Sequence, residues 1–237
     1  MKEIIDSLSM WQKNGKGYPI QIQIHPTNYC NLNCIFCPTR ALVKELDRKK
    51  ELTKEEWLKI IDEGNRLGVR EWHICGGGEP LFFTEDALTI MKKIKKSGKY
   101  GELITNGTFF QEEVARELVE MEWDKIYISL DSPNQRTNDF LRGKCYQKII
   151  EGVKNLVKWK KKLQTKKPSL YFHSVICNKN YKQIPGLMKL TRKLNLEGVC
   201  LNALNIWKPE IDKLKLNEKE KIELKKILKR SEKIASE

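Results

Sequence analysis

The chain is organised around one short stretch, Cys30-Asn31-Leu32-Asn33-Cys34-Ile35-Phe36-Cys37. Its three cysteines have the spacing C-x3-C-x2-C, and no fourth cysteine lies nearby. A structural zinc ion takes four protein ligands, and the common [4Fe–4S] site takes four thiolates. Three ligands on one short loop therefore indicate a metal centre with one coordination position left open, which is what a catalytic metal site keeps for its substrate.

This stretch resembles the signature of the radical S-adenosylmethionine (SAM) superfamily, in which an aromatic residue, here Phe36, precedes the last cysteine. The resemblance implies a [4Fe–4S] cluster on Cys30, Cys34 and Cys37, with SAM chelating the fourth iron through its amino and carboxylate groups. The alternatives are a zinc loop completed by a distant cysteine, and three simply buried thiols. The position of the loop, directly after the first strand of an alternating strand–helix chain, favours the cluster.

Length and cysteine content narrow the classes of protein. With 237 residues the chain is long enough for one large domain or two small ones. It contains no apolar run that could span a bilayer and no hydrophobic segment typical of a signal peptide, so we expect no membrane association. The seven cysteines are odd in number and clustered, which argues against a disulfide framework and indicates a reducing, cytoplasmic location.

The formal net charge is +14, and its densest run is Lys154 to Lys167 with seven lysines. Such a run could bind nucleic acid or an acidic partner, for example a flavodoxin or ferredoxin that donates electrons. The simpler interpretation is the solvated face of a helix, because an apolar stripe lies opposite the lysines. That stripe consists of Ile149, Ile150, Val153, Leu156, Val157 and Leu163. A composition rich in both Lys and Glu is also typical of proteins from hot environments.

Hydrophobic patterns predict that strands alternate with helices six times along the chain. The predicted strands are Ile20–His25, Glu71–Cys75, Glu102–Thr105, Lys125–Leu130, Leu170–Cys177 and Gly198–Leu204. Residues 41–52 are predicted as a loop or short helix, and 131–145 as a polar loop. Such alternation is typical of parallel strands joined by right-handed crossovers.

The pattern alone leaves a doubly wound open sheet as an alternative. The family resemblance implies an α/β fold, namely an open (β/α)6 partial TIM barrel with parallel strands. We expect 1–17 to be a lead-in helix and turn, 18–208 the radical SAM core domain, and 209–237 a C-terminal helix. Members with SPASM or twitch extensions carry a cysteine-rich segment with auxiliary clusters after the core. No cysteine follows Cys200, so we expect that auxiliary-cluster domain to be absent from this chain.

A glycine-rich segment, Gly77-Gly78-Glu79-Pro80, follows the second predicted strand. By itself it could be an ordinary turn, since glycine permits positive φ and close backbone approach. In the radical SAM superfamily, a Gly-Gly-Glu-Pro segment at this position lines the SAM amino group with backbone carbonyls and the glutamate side chain. The match is residue for residue. The resemblance therefore implies that Gly77, Gly78, Glu79 and Pro80 bind SAM.

Two more segments follow predicted strands. Thr105-Asn106-Gly107 could be an Asn-Gly turn, but a similar segment approaches SAM in SPASM-like and molybdenum-cofactor-synthase-like members. Ser129-Leu130-Asp131 resembles the Ser-Leu-Asp segment of those members, whose serine approaches the SAM carboxylate. The resemblance thus implies SAM contacts for Thr105, Asn106, Ser129 and Asp131. Arg142-Gly143 also resembles those members, but no role follows from it.

The remaining cysteines and the histidines have simpler interpretations. Scattered cysteines are commonly buried as small hydrophobes rather than as ligands of further clusters, and this is our interpretation of Cys75, Cys145, Cys177 and Cys200. Each histidine lies in a predicted strand without metal-ligand spacing to another. We therefore interpret His25, His73 and His173 as satisfied core or strand-edge residues.

We expect an enzyme whose reduced cluster cleaves SAM to a 5′-deoxyadenosyl radical, which abstracts hydrogen from a peptide, protein or small-molecule substrate. A glycyl-radical-enzyme activase is an alternative, but that family typically has Asp-x-Lys where this chain has Ser129–Asp131. An RNA-modifying radical SAM enzyme is another, motivated only by charge. The non-enzyme alternative is a basic binding module stapled by zinc, to which the Gly77–Pro80 match would be useless.

Overall fold

The computed structural model describes the backbone of residues 2–15, 17, 19–39 and 45–236, and the side chains of 5–15, 17, 19–39 and 45–232. Six strands form one sheet in sequence order, and every neighbouring pair is parallel. They are β1 (Gln21–Ile24), β2 (Glu71–Ile74), β3 (Tyr100–Thr105), β4 (Lys125–Ser129), β5 (Ser169–Ile176) and β6 (Gly198–Ala203). The sheet is open, with β1 and β6 at its two sides, and the predicted partial barrel is confirmed.

Helices alternate with these strands. They are α1 (Lys2–Asn14), α2 (Lys54–Arg66), α3 (Thr84–Lys96), α4 (Glu112–Glu120), α5 (Gln135–Arg142), α6 (Tyr146–Lys162), α7 (Ile184–Lys193) and α8 (Glu218–Ser236). A capping box begins α2, in which Thr53 and Glu56 satisfy each other's backbone N–H groups. Asn217 and Glu220 do the same at the start of α8. Among the described helices, none is long and apolar enough to cross a membrane.

The sheet buries one face against the helices. Trp72, Leu103, Ile126 and Phe172 occupy alternate positions of β2 to β5, are fully buried, and pack with apolar residues of α2, α3, α4 and α6. The intervening positions of these strands are mostly polar and half-buried. The core therefore lies between sheet and helices, and the opposite face is a polar inner wall of the barrel.

The prediction of a polar loop over 131–145 is wrong, because α5 lies in its centre. Asn134 caps this helix by accepting the N–H of Thr137 at 3.1 Å, and Gly143 ends it with φ of 95°. Its buried side chains are Asn138, Leu141 and Arg142. Since two of these three are polar, no apolar stripe marks the helix in the sequence.

The segment after β6 folds back onto the barrel. Leu214 packs with Leu141 and Cys177, and α8 packs on α7. Met1 and Lys16 of the predicted lead-in and residues 41–44 of the loop predicted over 41–52 lie outside the described residues. The described part of that loop contains a 3₁₀ turn, Arg48–Lys50.

All strands run in the same direction, so the loops that follow them leave the same side of the sheet. We call this side the carboxyl edge, and the side at which the strands begin the amino edge. The cysteine loop, the glycine segment, Asn106 and Asp131 all lie at the carboxyl edge, directly after β1, β2, β3 and β4. This is the edge at which barrels of parallel strands carry their active sites.

Candidate functional site

The cysteine loop is held from a neighbouring helix. Cys30, Cys34 and Cys37 are half-buried free thiols. The N–H of Cys37 donates to the carbonyl of Cys34 at 3.1 Å and closes a tight turn. The N–H of Ile35 donates to the carbonyl of Leu141 at 3.0 Å, so the last turn of α5 supports the loop. The backbone that carries the three thiols is therefore fixed by two hydrogen bonds, one within the loop and one to α5.

The thiols are close enough to influence one another's ionisation. Burial raises the pKa of Cys34 to about 11; the Arg142 guanidinium opposes the rise, and charge on Cys37 or Cys30 adds to it. Burial also raises the pKa of Cys30. Metal binding has to displace these protons, since the thiolate is the ligand. Three neighbouring thiols with a cation beside them are a donor set that fits an anionic iron–sulfur cluster.

Among the described residues, no group of three or more His, Cys, Asp or Glu is arranged to hold a single metal ion. A [4Fe–4S] cluster is larger than one ion, so its thiolate ligands stand farther apart than those of a zinc ion. The fit to a cluster accordingly depends on the chemistry of the three thiols and not on one tight ligand shell.

The glycine segment is locked against the cysteine loop. The N–H of Gly78 donates to the carbonyl of Thr27, and the N–H of Glu79 to that of Tyr29, both at 2.7 Å. A Cβ on Gly78 would lie 2.0 Å from the carbonyl oxygen of Tyr29. Gly77 has φ of 75°, a conformation that favours glycine. The two glycines are therefore required by the contact between the two loops.

Glu79 is a buried carboxylate whose hydrogen-bond donors are all neutral. It accepts the Thr105 hydroxyl at 2.6 Å, the Asn106 N–H at 2.7 Å and the Leu81 N–H at 3.1 Å. Burial raises the pKa of Glu79 to about 7, although the three hydrogen bonds act in the opposite direction. A buried carboxylate without a cation is costly. The site is therefore suited to a ligand that brings a positive charge.

Asn106 connects β3 to the cysteine loop. Its side-chain nitrogen donates to Oδ1 of Asn31 at 2.8 Å and lies 3.9 Å from Sγ of Cys30. Its Oδ1 accepts the Thr108 hydroxyl at 2.7 Å, and that hydroxyl accepts from Nδ2 of Asn31 at 2.9 Å. The segment that the sequence leaves open as an ordinary turn therefore braces Cys30.

Asp131 forms a buried ion pair with Arg142. Nε and Nη2 of Arg142 donate to Oδ2 and Oδ1 of Asp131 at 2.6 Å and 3.2 Å. The third nitrogen, Nη1, lies 4.0 Å from Sγ of Cys34, and the guanidinium carbon lies 5.4 Å from the centre of the Phe36 ring. The side chains of Arg142 and Asp131 are 8% and 0% exposed. Burial by itself would lower the pKa of Arg142, but Asp131 together with Cys34 and Cys145 outweighs it, and the pKa is raised above its ordinary value.

The predicted site residues thus form two groups at the carboxyl edge. One group surrounds Cys30 and consists of Glu79, Thr105 and Asn106. The other lies at Cys34 and consists of Phe36 and Asp131. Gly77, Gly78 and Pro80 belong to the segment that joins Glu79 to β2. Ser129 is buried at the end of β4, where its backbone lies beside His173 of β5. That these residues contact SAM, and that the cysteines bind a cluster, stays a prediction.

Three residues with a part in the site were missed. No role for Arg142 follows from the sequence, although the Arg142-Gly143 motif is visible in it. Glu51 accepts the Thr27 hydroxyl at 2.8 Å and the Asn28 N–H at 2.6 Å, which holds the start of the cysteine loop. The indole N–H of Trp207 donates to the carbonyl of Phe36 at 3.0 Å. Nothing in the charged stretch around Glu51 or after β6 distinguishes the last two in sequence.

The inner wall of the barrel is polar and contains paired groups. Nζ of Lys125 lies 3.9 Å from a carboxylate oxygen of Glu102. It also lies 5.4 Å from the centre of the Tyr127 ring and 5.5 Å from that of Tyr171. Burial lowers the pKa of His173, and Arg142 contributes to this shift, so its ring is neutral at physiological pH. The His173 ring contacts Asn202 and Tyr127, and those of His73 and His25 contact Glu102 and Gln23. The interpretation of a satisfied strand histidine therefore fits His173. Nε2 of His73 is buried 3.5 Å from Glu71 without a hydrogen bond among the described residues, and His25 lies one residue after the end of β1.

The lysine run lies on α6 and the loop that follows it, which leads to the amino edge of β5. In its apolar stripe, Ile149, Val153 and Leu156 are buried in the core, Ile150 and Val157 are half-buried against it, and Leu163 is exposed. Three of its lysines pair with carboxylates of the same chain, at 2.6 to 2.8 Å. These pairs are Lys158–Glu112, Lys160–Glu197 and Lys167–Asp124. The run is therefore a solvated helix face at the edge opposite the cysteine loop.

The family model of the radical SAM superfamily matches residues 24–191, more than two thirds of the chain. The chain is 28% identical over 186 residues to the tungsten-containing aldehyde ferredoxin oxidoreductase cofactor-modifying protein of Pyrococcus furiosus, covering 78% of this chain and 51% of that protein. It is 28% identical over 191 residues to the PqqA peptide cyclase of Bradyrhizobium diazoefficiens, covering 80% of this chain and 47% of that protein. The chain spans about half the length of these curated relatives.

A solved structure has the same fold. Streptococcus suis SuiB bound to S-adenosylmethionine superposes with a TM-score of 0.75 at 17% identity, covering 96% of this chain and 51% of that one. At this identity the likeness shows the fold alone.

Proposed function

Because this chain belongs to the radical SAM superfamily, whose members use a [4Fe–4S] cluster and SAM, we propose that it cleaves SAM reductively and abstracts a hydrogen atom from a substrate. When bound and reduced, the cluster supplies the electron that splits SAM into methionine and a 5′-deoxyadenosyl radical. Cys30, Cys34 and Cys37 would hold it. The chain's own residues bind and orient the two cofactors and keep water from them, while the cofactors supply the chemistry.

The buried carboxylate of Glu79 is the observation that carries the proposal. It lies between the cysteine loop and β3, its three donors are neutral, and its pKa is raised to about 7. The ammonium group of SAM would give this carboxylate the positive partner that it lacks in its hydrogen-bond set. A zinc-stapled module would have no use for such a group, so Glu79 favours the enzyme over the non-enzyme alternative.

The remaining SAM contacts follow from the placement of the loops. We assign the SAM carboxylate to Ser129, which is buried at the end of β4. Thr105 and Asn106 hold Glu79 and Cys30 in place, so they would fix the distance between the SAM amino group and the cluster.

We propose a peptide or protein substrate that reaches the inner wall of the barrel. The cation that the strand register places on this wall, Lys125, is paired with Glu102 and covered by two tyrosine rings. A wall of this kind suits hydrogen bonding to amides better than binding of an RNA backbone, which requires several cations. The name of one relative, PqqA peptide cyclase, points to the same class. The other relative is named as a cofactor-modifying protein, which keeps a small-molecule substrate as the alternative.

We further propose that an acidic flavodoxin or ferredoxin donates the electron at the carboxyl edge. The lysine run is not assigned to this docking, because it lies at the opposite edge and pairs internally. Seven free cysteines and an oxygen-sensitive cluster suit a reducing compartment, so we place the protein in the cytoplasm.

Anaerobic reconstitution with iron and sulfide, followed by dithionite and SAM, tests the function by the yield of 5′-deoxyadenosine. Wild type is expected to form the product, and Cys34→Ala is expected to form none. The matched control is Cys200→Ala, which removes a half-buried thiol outside the cysteine loop and should retain the activity. If the wild type were colourless, contained zinc and formed no 5′-deoxyadenosine, the proposal would be wrong and the zinc-stapled binding module would be supported.

A further inference from the structure

One buried cation beside the cysteine loop has no role in the function proposed so far. Asp131 binds the edge of the Arg142 guanidinium formed by Nε and Nη2, at 2.6 Å and 3.2 Å. This bidentate contact leaves Nη1 turned toward Cys34, with 4.0 Å between Nη1 and Sγ. The backbone bond from Ile35 to Leu141, at 3.0 Å, fixes α5 to the loop. The cation is therefore held at a set distance from one thiol.

The burial of this pair makes the charge effective. The Arg142 side chain is 8% exposed, and water screens buried charges far less than surface charges. The carboxylate of Asp131 lies on the other edge of the guanidinium, so the cation faces the sulfur. Of the two members of the ion pair, it is the Arg142 guanidinium whose nitrogen contacts the sulfur.

We propose that Arg142 is a positioning residue that acts through Cys34 to raise the reduction potential of the cluster. The inference rests on the proposed function, since it requires a cluster on Cys34. Reduction transfers one electron from a low-potential donor to the cluster and breaks no bond, so it adds one negative charge. A fixed cation stabilises that added charge, and hydrogen bonds to cluster sulfurs act in the same direction. Asn106 offers Cys30 a neutral donor at 3.9 Å, which lacks the charge.

A redox titration of the reconstituted protein, followed by electron paramagnetic resonance without SAM, measures the effect. The test variant is the double substitution Arg142→Gln/Asp131→Asn, which removes both charges and avoids leaving an unpaired buried carboxylate. Its midpoint potential is expected to become more negative. We expect the ratio of reduced to oxidised cluster at fixed potential to fall about tenfold, which for a one-electron couple is about 59 mV.

The matched control is Arg136→Gln, which removes an exposed arginine from the same helix and should leave the midpoint unchanged. Asp131→Asn provides a test of opposite sign, because it removes the counter-charge and keeps the cation. Its midpoint is expected to become less negative. This variant decides the question if the double variant does not take up a cluster.

Unchanged midpoints in the charge variants, with wild-type cluster content, would overturn the proposal. SAM affinity, measured in parallel, tests whether Arg142 binds SAM instead. Weaker SAM binding at an unchanged midpoint potential would mean that Arg142 contacts SAM and does not act on the cluster. A wild type that shows no [4Fe–4S] signal after reduction would instead remove the proposed function, and this inference with it. The two failures are therefore distinguishable.

Discussion

Two buried carboxylates at opposite edges of the same sheet have opposite electrostatic environments. At the carboxyl edge, the described donors to Glu79 are all neutral, and burial raises its pKa to about 7. At the amino edge, Asp124 accepts two lysines, Lys95 and Lys167, and the N–H of Gly101. Burial would raise the pKa of Asp124, but these hydrogen bonds outweigh it and the pKa is lowered.

The difference shows which edge is built for stability and which for binding. The negative charge of Asp124 is neutralised by two lysines of the same chain. These ion pairs connect α3, which carries Lys95, and the segment before β5, which carries Lys167, to the start of β4. Within the part of the chain that the structure describes, no cation is hydrogen-bonded to Glu79, although basic residues outnumber acidic ones by 45 to 31. A carboxylate that remains uncompensated in such a chain is suited to a cationic ligand. Perturbed pKa values of this kind cluster at functional sites.

The largest effect is expected at the contact between the two carboxyl-edge loops. Gly78→Ala would place a Cβ 2.0 Å from the Tyr29 carbonyl oxygen and 2.5 Å from backbone carbon atoms of the same loop. The clash is with backbone atoms, so it can be relieved only by moving the cysteine loop. We therefore expect a loss of roughly 3 kcal/mol of stability or more, and we expect the variant not to bind the cluster. Urea unfolding and iron content measure these. Gly186→Ala meets only a Pro133 ring carbon at 3.1 Å, so it should cost under about 1 kcal/mol. Equal losses in both variants would contradict the close loop contact.

The next prediction concerns the pH dependence of the protein without SAM. The pKa of Glu79, about 7 in the fold against an ordinary 4.5, means that the folded state holds this proton more tightly. Stability should therefore fall as pH rises from about 5 to 8, by roughly 3 kcal/mol from this residue. In Glu79→Gln the free energy of unfolding should no longer fall over this pH range. Urea unfolding at several pH values measures it in both proteins. If the variant kept the wild-type pH profile, Glu79 would not be the titrating group.

The amino edge should respond with the opposite sign. Asp124→Asn is expected to lower stability at pH 7 by roughly 2 kcal/mol, because two lysines lose their buried partner. In the wild type this contribution is present above the ordinary pKa of 3.8 and is lost as pH falls through the lowered native value. Cluster content and SAM affinity should remain at wild-type levels. A loss of SAM binding by folded Asp124→Asn would break the separation between the two edges.

The smallest effect is expected at two helix caps that contribute about equally to stability. Asn134 caps α5, which carries Arg142, and Asn217 caps α8, which packs on α7. Each change to alanine should cost about 1 kcal/mol of stability. Only Asn134→Ala should also shift the cluster midpoint potential, because it loosens the helix that holds Arg142. A shift of the same size in Asn217→Ala would show that the effect is global.

The fold was predictable because its signals are local. Strand–helix alternation, the capping boxes at Thr53 and Asn217, and the loops after each strand can all be read from neighbouring residues. The strand boundaries differ from the prediction by only one or two residues. There are two exceptions. α5 buries polar side chains against the site and therefore has no apolar periodicity. The C-terminal helix predicted over 209–237 begins only at Glu218, after a 3₁₀ segment over Pro209–Leu214.

The sequence by itself determined the family, the open barrel and the residues that meet at its carboxyl edge, because these follow from short motifs and from the direction of parallel strands. Only the tertiary structure decided how those residues are charged and paired. That the described donors to Glu79 are all neutral, that Asp131 pairs with Arg142, and that Nη1 faces Cys34 all depend on contacts between residues far apart in the chain. Burial and distance set the strength of each charge, and neither quantity is present in the order of the amino acids.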